Sequence, residues 1–289
     1  MKSLKKIPFC HKLAALCMIF LISGCNNPST REDKKNTSQN YKEKIDSIKK
    51  EIHLSIDLQG MLNNYTSPMD VALALEKSKA GYYFDITNTP DNVSKYTTEK
   101  SKALNLGVYT ADLSYSITYK RTDETNKFLY CVSRLADELG VSGVYDQTTK
   151  DKLKKYSNNK DSLISLTNSL SSQTKSFLCE NDRSQVAVLI VTGGFAEAVY
   201  LASVLGEMDI RNNIKIMSVL AAQKDNYDKL MQLLSAYKED KEMQPITDAM
   251  GMLKYIWTNY GIDSGKKIPL EKAVEISDLA KRVRERLVK

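Results

Sequence analysis

No proline interrupts the chain between Pro90 and Pro245. Proline removes a backbone donor and clashes with the preceding turn, so helix interiors exclude it. So long a run without proline or a Gly/Ser-rich break is most simply a series of helices joined by short turns. Start signals agree. Ser67-Pro68-Met69-Asp70 and Thr89-Pro90-Asp91 each offer a capping hydroxyl and a proline at the first helical position. Thr122-Asp123-Glu124-Thr125 and Asp146-Gln147-Thr148-Thr149 read as two more helix starts, and Gly140 and Gly261 stand where apolar periodicity ends. Helices are expected near residues 41–64, 68–83, 91–119, 123–139, 147–156, 161–180, 183–207, 212–238, 243–260 and 270–288. Residues 41–289 then form a single all-α, multi-helix domain, an antiparallel helical bundle or an irregular helical array. Ile216, Leu220, Tyr227, Met231 and Leu234 recur at helical spacing with charges between them. No internal repeat has a fixed period, although helix pairs of similar length leave a solenoid open.

The segment from Gln185 to Leu201, QVAVLIVTGGFAEAVYL, admits three readings. Val186 to Val191 as a strand, followed by a glycine turn and a helix, would resemble a phosphate-binding turn. A dinucleotide fingerprint needs G-x-G-x-x-G inside a βαβ unit, and only Gly193-Gly194 is present. A transmembrane helix would carry Glu197 at a cost of ~2.5–3.5 kcal/mol at a span centre. The third reading, a helix buried on all sides whose glycines admit a close neighbour, is preferred.

A second segment, Leu104 to Tyr119, sets Asp112 among apolar residues, one turn from Tyr109, Tyr115 and Ser116. A carboxylate there is buried only with partners, because an unpaired buried charge is expensive. Either it belongs to a satisfied core network, or it builds a polar pocket with Glu197. Tyr109, Asp112, Tyr115, Glu197 and Tyr200 are therefore the ligand-binding candidates; no residue stands out as catalytic.

The N-terminus carries an address. Lys2, Lys5, Lys6 and Lys12 precede an apolar run from Leu13 to Ile22, a basic n-region and a short h-region. Spanning a bilayer takes ~20 apolar residues, so the run is too short for an ordinary membrane helix. It ends in Leu21-Ile22-Ser23-Gly24-Cys25, which resembles the lipobox of bacterial lipoproteins. The resemblance implies cleavage after residue 24 by signal peptidase II and acylation of Cys25. Two or more acyl chains anchor a protein stably where one does not. Residues 1–24 are then the signal peptide, and residues 25–40 a flexible polar tether with too little apolar surface to order itself. Asn26 after the cysteine is compatible with outer-membrane sorting, by resemblance to enterobacterial lipoproteins. The expected location is the cell envelope, most simply the outer membrane facing the periplasm, with the lipid bilayer as the first partner.

Charge and rare residues exclude much. The signal holds four lysines and no acid, so its removal lowers the chain's net +7 to +3. That leaves no case for nucleic acid. His53 is the one histidine left, so multi-histidine metal sites are excluded; no metal and no cofactor is expected. Cys131 and Cys179 could pair in an oxidising compartment, but each lies in an apolar helical pattern that favours a buried free thiol.

Three stretches together resemble a family. Leu106-Gly107-Val108-Tyr109-x-Ala111-Asp112-Leu113-x-Tyr115, Leu135-Ala136-Asp137-Glu138-Leu139-Gly140 and Gly193-Gly194-Phe195-x-Glu197-Ala198-x-Tyr200-Leu201 look like landmarks of uncharacterised helical lipoproteins common in Bacteroidetes. Phe195 stands where many relatives carry tryptophan. The resemblance implies an exported helical domain and no known activity. Gly143-Val144-Tyr145-Asp146-Gln147-Thr148-Thr149 is also similar to a stretch of small peptidoglycan-binding domains, but Asp146 replaces a glycine and a helix start explains the same residues. The function expected is a non-enzymatic binding or scaffold domain for an envelope protein partner or small ligand. The alternative is an envelope enzyme using Asp112 and Glu197 on a glycan or cell-wall substrate. Glycosidase carboxyls face a cleft ~5–10 Å apart, so an open cleft would favour the enzyme and burial the binding domain.

Overall fold

The computed structural model describes residues 44–45, 57–62, 64–157, 159–209, 211–262 and 268–288. The signal, Cys25, the tether and His53 lie outside the described residues. The helices are α1 (Pro68–Lys77), α2 (Glu99–Thr118), α3 (Thr122–Glu138), α4 (Gln147–Lys155), α5 (Lys160–Glu180) and α6 (Ser184–Met208). They continue as α7 (Asn213–Ala221), α8 (Lys224–Ser235), α9 (Gln244–Met252), α10 (Lys254–Asn259) and α11 (Leu270–Leu287). No strand occurs among the described residues, and the all-α reading holds.

α6 is the axis of the array. It packs against α1, α2, α5, α7, α8 and α11, and nearly all of its side chains are buried. By length and composition it could cross a membrane, but 83% of its most apolar stretch is buried inside the protein. Its hydroxyls are satisfied within the helix: Thr192 Oγ1 donates to the Val188 carbonyl and Ser203 Oγ to Val199. The strand-turn-helix reading of Val186 to Gly194 is thereby replaced by the buried helix. Phe195 joins Tyr65, Tyr227 and Trp257 in an aromatic cluster, with Tyr227 and Trp257 stacked at 4.9 Å.

Two glycines set how close α2 and α6 approach. A Cβ on Gly193 would lie 1.9 Å from the Leu104 carbonyl oxygen, and one on Gly107 1.9 Å from that of Ile190. Backbone meets backbone here, so any side chain would push the helices apart.

Several helices stop where sequence gives no signal. The expected helix 68–83 ends at Lys77, with Lys79 in the left-handed region (φ 65°). Ala80 N–H donates to the Leu75 carbonyl and Lys79 N–H to Glu76, closing the end as glycine usually does. Lys120 and Asp182 end α2 and α5 in the same way, and Gly140 ends α3. Thr89-Pro90 opens only a 3₁₀ turn, Pro90–Lys95, with no side-chain cap. α2 starts instead at Thr98, whose hydroxyl caps the Ser101 N–H. Residues 78–98 thus form an irregular strap across α2. Two long expected helices, 212–238 and 243–260, are each split in two, near Ala222 and Leu253. The start at Ser67 carries a full capping box with Asp70, and Asp146 caps α4 by accepting from Thr149 N–H at 2.7 Å. At α3 the capping position falls to Arg121, which makes no side-chain cap.

Candidate functional site

The five sequence candidates fall on the two central helices, Tyr109, Asp112 and Tyr115 on α2 and Glu197 and Tyr200 on α6, and all five are buried. The α2 tyrosines hold the strap. Tyr109 Oη donates to the Thr89 carbonyl at 2.8 Å and Tyr115 Oη to Gly81 at 2.9 Å, while Tyr83 N–H donates to Tyr115 Oη. Tyr119 adds a bond to the Ala80 carbonyl. Their phenols serve the chain's own backbone, and burial raises the pKa of all three.

Asp112 and Glu197 do come together, as the sequence reading allowed. Both are 0% exposed, and each carboxyl lies within the electrostatic reach of the other. The Asn88 N–H donates to Asp112 Oδ2 at 3.0 Å. Arg284, from α11, completes the cluster: its Nε donates to Glu197 Oε2 at 2.5 Å, and its guanidinium lies over the Tyr200 ring at 4.6 Å. Asp112 Oδ1, Glu197 Oε1 and Arg284 Nη2 are buried with no hydrogen-bond partner.

Burial drives the Asp112 pKa well above the usual carboxylate range, the Glu197 charge raises it further, and Arg284 opposes only in part. Burial alone would lower the Arg284 pKa, but the facing Glu197 carboxylate outweighs it and the guanidinium stays charged. Tyr200 is raised by burial, with Arg284 opposing. Two buried acids in contact beside one cation form a core network, and the pair opens into no cleft where a glycan would bind. Sequence reasoning missed Arg284. It sits in the run Lys281-Arg282-Val283-Arg284-Glu285-Arg286, which reads as a solvated helix face.

Cys131 and Cys179 are free and buried, as their settings favoured. Burial pushes the Cys131 thiol up to about 12 and raises Cys179. Among the described residues no three His, Cys, Asp or Glu side chains gather to hold a metal ion.

Open concave surface lies elsewhere, along α3. A groove of about 760 Å³ between α3 and α4 is floored by Leu129 and Leu153 and edged by Arg134, Asp137 and Lys154. A second of about 530 Å³ runs between α3 and the strap, against Phe84 and Pro90. Asn126 and Tyr130 line both, and Tyr130 is 60% exposed. Sequence reasoning missed this surface as well; Tyr130 looks there like one more tyrosine on an amphipathic helix. No family model, curated protein or solved structure matches the chain.

Proposed function

We propose that the chain is a lipid-anchored envelope protein whose helical domain binds a partner protein or small ligand along α3 and carries out no chemistry. The lipobox at Cys25 and the resemblance to helical lipoproteins support the address. One observation carries the binding reading: exposed Tyr130 stands between two open grooves, while the acid pair is sealed in the core. Tyrosine is among the side chains that most often anchor interfaces, because it brings large contact area with few rotors.

Two experiments test this. Labelling cells with a palmitate analogue should mark the wild type and leave Cys25→Ala unmarked; label at wild-type level in the variant rejects the anchor. A photo-crosslinking residue at position 130 should give discrete adducts in intact cells, where one at exposed Tyr255 on α10 gives none. Equal adducts at both positions reject the α3 surface.

A further inference from the structure

The cluster of Asp112, Glu197 and Arg284 holds two acids and one base, with both carboxyls shut away from solvent. With both acids ionised it carries a net negative charge, and Asp112 Oδ1 and Glu197 Oε1 each lack a donor. A single proton repairs both defects. Placed on Asp112, it donates to Glu197 and makes the cluster neutral, while Asp112 Oδ2 still accepts from Asn88. A second proton would take the counterion from Arg284 and leave a buried cation. Only the one-proton state makes the cluster neutral and joins the two carboxyl oxygens; Arg284 Nη2 is unpartnered in every state.

We propose that Asp112 keeps its proton at neutral pH and donates it to Glu197, and that this hydrogen bond is a pH-sensitive lock between α2 and α6. The titratable and charged groups within electrostatic reach of Asp112 are Glu197 and Tyr200 on α6, Arg284 on α11, Tyr82 on the strap, Tyr109 on α2 itself and Cys131 on α3, while Tyr96 on the strap reaches Glu197 and Arg284. Arg284 is the one cation among them, and burial holds the tyrosines and Cys131 in their neutral forms. Asp112 is therefore the group of this cluster whose proton is lost as pH rises. Asp112 keeps a proton that the unfolded chain has already released, because its folded pKa lies above the ordinary value. Stability from this proton is full below about 4, the unfolded carboxylate range, and is lost as pH rises toward the folded pKa. Beyond that point Asp112 and Glu197 repel across the α2–α6 contact.

The test uses infrared spectra and urea unfolding on the folded chain. Burial raises the pKa of Asp112, whereas Glu138, Asp146, Asp209 and Asp240 are lowered. A protonated-carboxyl band at neutral pH is assigned to Asp112 by its loss in Asp112→Asn. The wild type should show that band, and its urea midpoint should fall as pH rises beyond the range where ordinary carboxylates ionise. Asp112→Asn should lose both the band and the fall, because the amide donates to Glu197 at every pH. Should that variant not fold, Glu197→Gln serves: a neutral amide there makes Asp112 the counterion of Arg284, and the band should vanish. A wild type with no band, an Asp112→Asn midpoint falling as steeply as the wild type's, or a band that survives Glu197→Gln overturns the lock.

Discussion

Arg284 and Glu197 are 87 residues apart in the chain and 2.5 Å apart in space, and their pair ties α11 to the central helix α6. Glu197 is fully buried and Arg284 nearly so, which sets the energetics. A buried pair is often no more stabilising than apolar residues of the same shape, yet removing one partner leaves an uncompensated charge.

Arg284→Met should therefore destabilise the domain by ~3–5 kcal/mol. The double variant Glu197→Leu/Arg284→Met should recover most of the loss. Urea unfolding of the three proteins checks it. A single variant within experimental error of wild type would mean that Glu197 finds another partner or reaches water.

The strap should loosen one hydroxyl at a time. Tyr115 holds both ends of a short span, accepting from Tyr83 N–H and donating to the Gly81 carbonyl. Tyr115→Phe should cost ~1–3 kcal/mol, the net worth of two ordinary hydrogen bonds. Hydrogen exchange should quicken in residues 80–89 and stay unchanged in α6. Acceleration spread evenly over the domain would deny the strap a stability of its own.

The thiols give a sharper contrast. With its pKa pushed up to about 12, Cys131 is almost wholly protonated at neutral pH, and the thiolate is the form that reacts. Cys131 and Cys179 should resist alkylation in the folded protein and react at once in urea. Mass spectrometry after a brief pulse of iodoacetamide distinguishes the two states. Rapid labelling of either residue without denaturant would contradict its burial.

Sequence patterning revealed α6 as a buried helix because its apolar residues leave no polar face. It also singled out Asp112 and Glu197, because carboxylates in such surroundings demand partners. Arg284 escaped notice for the opposite reason: three neighbouring cations share its helix, and only the tertiary contact shows which one turns inward. The early end of α1 was invisible because a lysine, Lys79, takes the left-handed position that glycine usually marks. The split near Ala222 was equally hidden, since Ala222 keeps helical backbone angles and carries no breaker signal.

The crossing of α2 and α6 gives the last prediction. Gly193 and Gly107 leave no room for a methyl group, because its nearest neighbours would be backbone carbonyls that cannot turn aside. Gly193→Ala should cost ~1–3 kcal/mol, and Gly193→Leu more, since overpacked sites relax only by moving whole elements. Helix propensity pulls the other way. Alanine is favoured over glycine by ~0.8–1 kcal/mol inside a helix, so an open glycine should gain where a packed one loses. Gly251 supplies the control: it lies in α9 and a Cβ there meets nothing within 4 Å. Gly251→Ala should be neutral to slightly stabilising, while Gly193→Ala and Gly107→Ala lower the urea midpoint. If all three shifted together, propensity rather than close approach would govern these sites, and the tight α2–α6 crossing would be wrong.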